Sequence, residues 1–238
     1  MKVLSRFYAY VEVTKPRESI LLAFIGVCAA IIARDGMVPL GWFFFIAVAI
    51  LIASAGANGL TNYLDRDLDA RMPRTQHRVL ASRRIDPAYK VLPFLIGLVV
   101  CGLVLAWQLH PYAFIADAVG TVAAVVWRKR WTCVFPQGMI ASCAPVLMGW
   151  FAVSPFFSWP MLWLCILISI WLPIHLWSVM VTHREDYIGA GITFFPMSRP
   201  TTSVVRLLVV LSLVLYVSSL AFYFIADFHW LYLVVANL

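Results

Sequence analysis

Along this chain, apolar runs alternate with short polar stretches, a rhythm that predicts helices crossing a lipid bilayer. Seven runs are long enough to consider, at about residues 16–33, 41–63, 91–109, 112–127, 138–153, 159–182 and 203–226. A final apolar segment, 230–238, is too short to cross alone. The expected fold is therefore all-α, a polytopic transmembrane helical bundle of seven full spans plus a short C-terminal apolar segment. Residues 1–238 read as a single membrane-embedded domain.

Composition strengthens this reading. The chain is 63% hydrophobic, 15% aromatic and only 12% charged, whereas soluble domains carry about 25% charged residues. Charge then sets the orientation. If the first span enters from the N-terminal side, every Lys and Arg except Arg34 falls on one side of the membrane. By the positive-inside rule, the N-terminus and these loops are cytoplasmic. The net charge of +7 is thus a topology signal and gives no reason to expect nucleic acid. The first apolar run follows charges of both signs and is expected to remain as an anchor. Cys28, Cys101, Cys133, Cys143 and Cys165 are scattered without a CxxC, which suits small packing residues better than a metal or disulfide framework.

The stretch "NGLTNYLDRDLDARMPRTQHRVL", residues 58–80, concentrates charge beside this oil. At about 100° per residue, Asn58, Asn62, Asp65 and Asp69 lie within roughly 60° of one another on a helix. They form a polar stripe at the end of the second span, with Asp67 on the opposite side. Carboxylates one turn apart, with amides above them, are hard oxygen donors of the kind Mg²⁺ takes alongside water and phosphate. A helix end neutralised by Arg66 and Arg71 explains the spacing equally well.

A second acidic segment favours the metal. "HREDY", residues 183–187, places Glu185 and Asp186 at the end of the sixth span, on the same side as the first cluster. Two acidic ends facing one cavity can hold Mg²⁺ around a diphosphate, while guanidinium groups take its oxygens. Arg74 and Arg78, one turn apart if the helix persists, and Lys129 with Arg130 after the fourth span are the candidate anion contacts. Aromatic faces stabilise cations, which makes Tyr63 and Trp177 candidates, although belt and packing positions account for most aromatics here. His175 is an intramembrane ionisable group that would face an acceptor, relay a proton or serve as a hydrogen-bonded structural residue. Asp117, about a turn and a half into the fourth span, is expected to be interfacial or structural.

"NYLDRDLDARMPRTQHRVL" resembles the first acidic motif of the UbiA superfamily of membrane prenyltransferases, NxxxDxxxD followed by RTxxR. "YVEVTKPR" (10–17), "WRKRWT" (127–132) and "HLWSVMVTHREDYIGAGI" (175–192) bring the chain closest to the protohaem IX farnesyltransferases, or haem O synthases, within it. The resemblance implies a bundle around a cavity open to the membrane lipid, with a polyprenyl diphosphate at its cytoplasmic end and Mg²⁺ as cofactor. It implies transfer of a prenyl group, farnesyl in the haem O synthases, to a vinyl carbon of haem through an allylic carbocation, with water completing the product. Asp65 and Asp69 match the ligands of the first metal motif, and Glu185 and Asp186 those of the second. Arg74, Arg78, Lys129 and Arg130 match the diphosphate contacts. The leading Asn of the motif is Thr61 here, so Asn58 or Asn62 is expected to supply the amide oxygen. "TCVFPQG" (132–138) departs from the family's TPQN. The family commonly has nine spans, so the C-terminus looks short, or a further subunit or homo-oligomer closes the cavity. The alternatives are prenylation of an aromatic quinone precursor or a lipid alcohol, a non-catalytic haem-handling or assembly protein, and a cation transporter.

Overall fold

The computed structural model describes residues 2–126 and 134–237. Ten α-helices and no strand occur among them: α1 (Lys2–Val13), α2 (Pro16–Ala33), α3 (Leu40–Asp69), α4 (Leu92–Leu109), α5 (Pro111–Val125), α6 (Gln137–Phe151), α7 (Trp159–Thr182), α8 (Arg184–Gly189), α9 (Thr201–Ile225) and α10 (Leu231–Ala236). Local chemistry starts and stops them. Prolines open α2, α5 and α7, where their missing N–H would have had no intrahelical partner. The Ser158 hydroxyl accepts from the Met161 N–H at the start of α7. Lys15, in the left-handed region at φ 50°, turns the chain between α1 and α2.

Helices α2–α7 and α9 stand where the apolar runs predicted them, with ends shifted by at most a few residues, apart from the longer inner end of α3. Five of the membrane-crossing segments, Pro16–Ala33, Leu40–Asp69, Ala88–Leu109, Trp159–Thr182 and Thr201–Ile225, are long and apolar enough to span a bilayer. The other two, α5 and α6, have 15 residues each, about 22 Å of helix against a hydrocarbon core of about 30 Å. The count of seven full spans is therefore not confirmed. The chain is an integral, multi-pass membrane protein with five full spans by length and two shorter helices between them.

Five helices close a ring. α2 packs on α3, α3 on α4, α4 on α5, α5 on α6, and α6 returns to α2; α7 leans on α6 and α9 on α7. Small residues permit the closure, as between membrane helices generally. A Cβ at Gly149 of α6 would overlap the carbonyl of Gly26 on α2, so the two backbones touch there. The buried core, including Ile46, Ile50, Ala53, Ala106 and Met148, fills the outer half of the ring. Along α9 only Val204 and Phe222 are buried, which leaves an apolar surface suited to lipid. At the opposite end, Ala9 and Val13 of α1 pack with Val79, Leu80, Ile85, Val91 and Leu95. α1 and the 70–91 segment thereby cap the inner ends of α3 and α4.

Candidate active site

The polar stripe is inside the protein. Asn62, Asp65 and Asp69 are 4%, 6% and 3% exposed, whereas the Asp67 side chain is 77% exposed and 3.6 Å from Arg66. One face of α3 therefore carries two carboxylates and an amide into the interior, which requires compensation. The Asn62 Nδ2 donates to the Val13 carbonyl at 3.0 Å, so α1 fixes the amide plane. Its Oδ1 is buried and has no hydrogen-bond partner among the described residues. An acceptor left so costs about 1–3 kcal/mol and marks a place for a ligand. Thr61, standing where the family motif has Asn, donates its hydroxyl to the Asn58 carbonyl at 2.8 Å.

α3 stops at Asp69 and residues 70–87 follow as turns, with Pro73 barring continuation. Arg74 and Arg78 are therefore not one helical turn apart, as continued helix would have made them. The loop instead folds back on the helix end. The Thr75 hydroxyl, 1% exposed, donates to the Asp69 main-chain oxygen at 3.0 Å, and Arg78 Nη1 donates to Asp69 Oδ2 at 2.8 Å. The RTxxR segment is thus a clasp on the last carboxylate. Pairing a buried carboxylate in this way avoids the roughly 3–5 kcal/mol that an uncompensated buried charge costs. A guanidinium has five N–H donors, and Arg78 is half-buried, so it retains donors for a second anion.

The second acidic segment meets the first. Arg74 Nη2 donates to the Tyr187 hydroxyl of α8 at 3.2 Å. Leu68 of α3 packs against the cluster of Met180, Ile192 and Met197, which Trp177, Tyr187 and Phe194 also join. Arg184 holds the following loop by donating to the Met197 carbonyl at 2.7 Å. Glu185 is exposed and Asp186 half-buried. Among the described residues, no three His, Cys, Asp or Glu side chains converge as a metal cage. The donor set nonetheless fits Mg²⁺, which is bound through one or two carboxylates together with water and substrate phosphate. Buried carboxylates beside an unsatisfied amide oxygen are hard donors of that kind.

The remaining candidates separate. Tyr63 packs in the α1 cluster, with the Arg66 guanidinium 4.4 Å above its ring. His175 is exposed and stacked on Trp171 at 4.8 Å. Trp177 meets Phe195 edge to face at 4.6 Å. Lys129 and Arg130 lie outside the described residues. Asp117, expected to be interfacial or structural, is 5% exposed and lies on the buried face of α5 with Ala113, Ala116, Gly120 and Ala123, its Oδ1 accepting from the Thr121 hydroxyl. Val13, Ser19, Thr75 and Tyr187 were missed as site partners. Ser19, fully buried, accepts from Asn58 Nδ2 at 3.0 Å. Thr75 and Tyr187 lie inside the motifs already singled out, and that was their only signal.

Two cavities extend from the outer side towards this end. One of about 640 Å³ lies between α6 and α7, from Trp159 to Ser169. The other, about 490 Å³, shares Met139, Leu162, Cys165 and Ser169 with it and reaches Trp177 and Leu207. Together they make an apolar groove that ends beside the cluster holding Tyr187.

The chain belongs to the UbiA prenyltransferase family, which matches residues 20–238. Among particular proteins, it is 35% identical over 236 residues to a protoheme IX farnesyltransferase of Desulforudis audaxviator, covering 96% of this chain and 74% of that one. It is 31% identical to the protoheme IX farnesyltransferase of Frankia alni, covering 98% and 82%. The fold matches a UbiA homolog from Archaeoglobus fulgidus bound to GPP and Mg²⁺ with a TM-score of 0.74 at 14% identity, over 96% of this chain and 82% of that one. A digeranylgeranylglyceryl phosphate synthase matches with a TM-score of 0.76 at 16% identity, over 98% and 83%.

Proposed function

We propose that this protein transfers the farnesyl group of farnesyl diphosphate to a vinyl carbon of protohaem IX, giving haem O and diphosphate. The observation that carries prenyl transfer is the buried Asn62–Asp65–Asp69 stripe, clasped by Arg78 and joined to α8 through Arg74 and Tyr187. The acceptor rests on similarity to protoheme IX farnesyltransferases along nearly the whole chain.

Asp65 and Asp69 would hold Mg²⁺ with the Asn62 Oδ1, and Glu185 with Asp186 would complete the site from α8. Asn58 is 11 residues of helix, about 16 Å, from Asp69 and stands a turn farther from it than Asn62 does. When bound, the metal supplies positive charge to the departing diphosphate. Arg74 and Arg78 orient that diphosphate and stabilise the charge it gains as the C–O bond breaks, an effect available without reorganisation because both are already anchored. Lys129 and Arg130 would add donors from the α5–α6 connection. The α6–α7 groove takes the prenyl chain, its volume being in the range of about 300–1,000 Å³ typical of ligand pockets. The vinyl carbon then bonds to the allylic cation. The arginine-rich end and the N-terminus face the cytoplasm, as the distribution of basic residues requires.

Purified protein in lipid nanodiscs, given Mg²⁺, farnesyl diphosphate and protohaem beside aromatic and lipid-alcohol acceptors, is expected to yield prenylated haem by mass spectrometry together with diphosphate. A prenylated aromatic or lipid as sole product would overturn the acceptor. Metal-dependent ion flux without prenylated product would overturn the enzymatic reading.

A further inference from the structure

A separate cavity, of about 150 Å³, lies inside the five-helix ring, apart from the prenyl groove. It is lined by residues of α2, α3, α5 and α6, and α6 separates the two spaces, with Ala141, Ala144, Pro145 and Met148 turned to this one. Its polar lining is Ser54, Asn58, Asp117, Thr121 and Ser142. Asp117 Oδ1 accepts from the Thr121 hydroxyl at 3.3 Å. Asp117 Oδ2 is buried without a hydrogen-bond partner among the described residues, in a side chain that is 95% buried by its 5% exposure. An acid among membrane helices needs a reason to be there, and an unpartnered oxygen facing a partly polar cavity needs an occupant. About five waters fit the volume, each taking roughly 30 Å³ as in the liquid.

The proposed reaction supplies the need. When the vinyl β-carbon bonds to farnesyl C1, the diphosphate leaves with the C–O electron pair and the positive charge passes to the vinyl α-carbon. Water attacks that carbon, an oxygen lone pair forms the new C–O bond, and one proton must leave. No oxidant or reductant is involved; the overall change is farnesyl diphosphate, haem and water to hydroxylated farnesyl-haem, diphosphate and a proton. A site that shelters a carbocation excludes bulk water, so the proton passes either to the departing diphosphate or to a side chain of the protein. Asp65 and Asp69 are assigned to the metal, and His175 is exposed and stacked on Trp171. Asn58 joins the two regions: it heads the acidic stripe and also lines the cavity.

We infer that the Asp117 carboxylate, in the cavity it shares with Asn58, Thr121 and Ser142, is the catalytic proton acceptor for the water that ends the reaction. This rests on the haem-prenylating function above. The test uses the full chain in nanodiscs, reading kcat, the KM for farnesyl diphosphate and the ratio of hydroxylated to dehydrated product, which differ by one water in mass. Asp117→Asn is expected to lower kcat about 100-fold, as loss of a general base does. The KM should stay within twofold, and the residual product should shift to the dehydrated form. Thr121→Val, which removes only the hydroxyl on Oδ1, is expected to shift the ratio in the same direction with a smaller fall in kcat. Unchanged kcat and product ratio in folded Asp117→Asn would overturn the inference. Should that variant not fold, an unchanged ratio in Thr121→Val would do so instead. A fall in thermal stability with an unshifted product ratio would make Asp117 structural and overturn it too. Absence of prenylated haem from the unmodified protein would be a failure of the underlying function, visible before any variant is made.

Discussion

The two acidic ends of this bundle are built in opposite ways. At the end of α3, Asp65 and Asp69 are buried, Asn62 is locked by Val13, and Asp69 is clasped by Thr75 and Arg78. At α8, Glu185 is exposed and Asp186 half-buried on a helix of six residues with no buried position. The first end is organised before any ligand arrives, and preorganised charge is what lowers a barrier. The second keeps its carboxylates near solvent, where a ligand can recruit them at little desolvation cost. One hydrogen bond, Arg74 to Tyr187, and the packing of Leu68 couple the fixed end to the adaptable one.

This contrast makes graded predictions. Replacing both Asp65 and Asp69 by Asn is expected to cost on the order of 10³-fold in diphosphate release at saturating Mg²⁺, the scale of losing transition-state charge stabilisation; release within tenfold of the unmodified protein would sink the metal assignment. Glu185→Gln with Asp186→Asn should cost about 10–100-fold, seen mainly as a higher Mg²⁺ and substrate requirement. A loss at saturating Mg²⁺ equal to that of the first pair would erase the distinction between the ends. Asn62→Leu should reduce kcat/KM by roughly 10-fold or more and weaken the α1 contact; measured beside Asn58→Leu, it tells which amide serves the ion. Tyr187→Phe removes the acceptor for Arg74, a bond worth about 1 kcal/mol, so roughly a fivefold rise in KM for farnesyl diphosphate is expected. Asp67→Asn should leave turnover within twofold, because its carboxylate points outward.

Much of the fold was legible because the bilayer imposes it. The length of each apolar run sets the length of its helix, and prolines mark several starts. The 100° repeat also separated the buried Asp65 and Asp69 from the outward Asp67, since α3 stays helical through all three. The same geometry failed one residue stretch later. Arg74 and Arg78 are one turn apart only if the helix persists, and it does not: Pro73 lies in a run of turns, and it is the clasp on Asp69 that arranges them. The inward face of α5 was legible but went unread: Asp117 shares it with small Ala113, Ala116, Gly120 and Ala123, whereas the large Tyr112, Ile115, Val119 and Val122 are exposed.

Hydrophobic spacing alone placed this chain in a membrane and positioned seven helices, because burying twenty or so backbone amides in lipid leaves a helix as the only open-chain solution. Family motifs added the chemistry expected at one end. Only packing decided that five helices close a ring, that α1 locks Asn62 with its amide oxygen left over, and that Arg74 reaches Tyr187 across 113 positions of chain. Those contacts join residues far apart in sequence, and their geometry depends on side-chain volumes such as the missing Cβ atoms of Gly26 and Gly149. No local pattern encodes such a meeting, because its energy exists only once both surfaces are present.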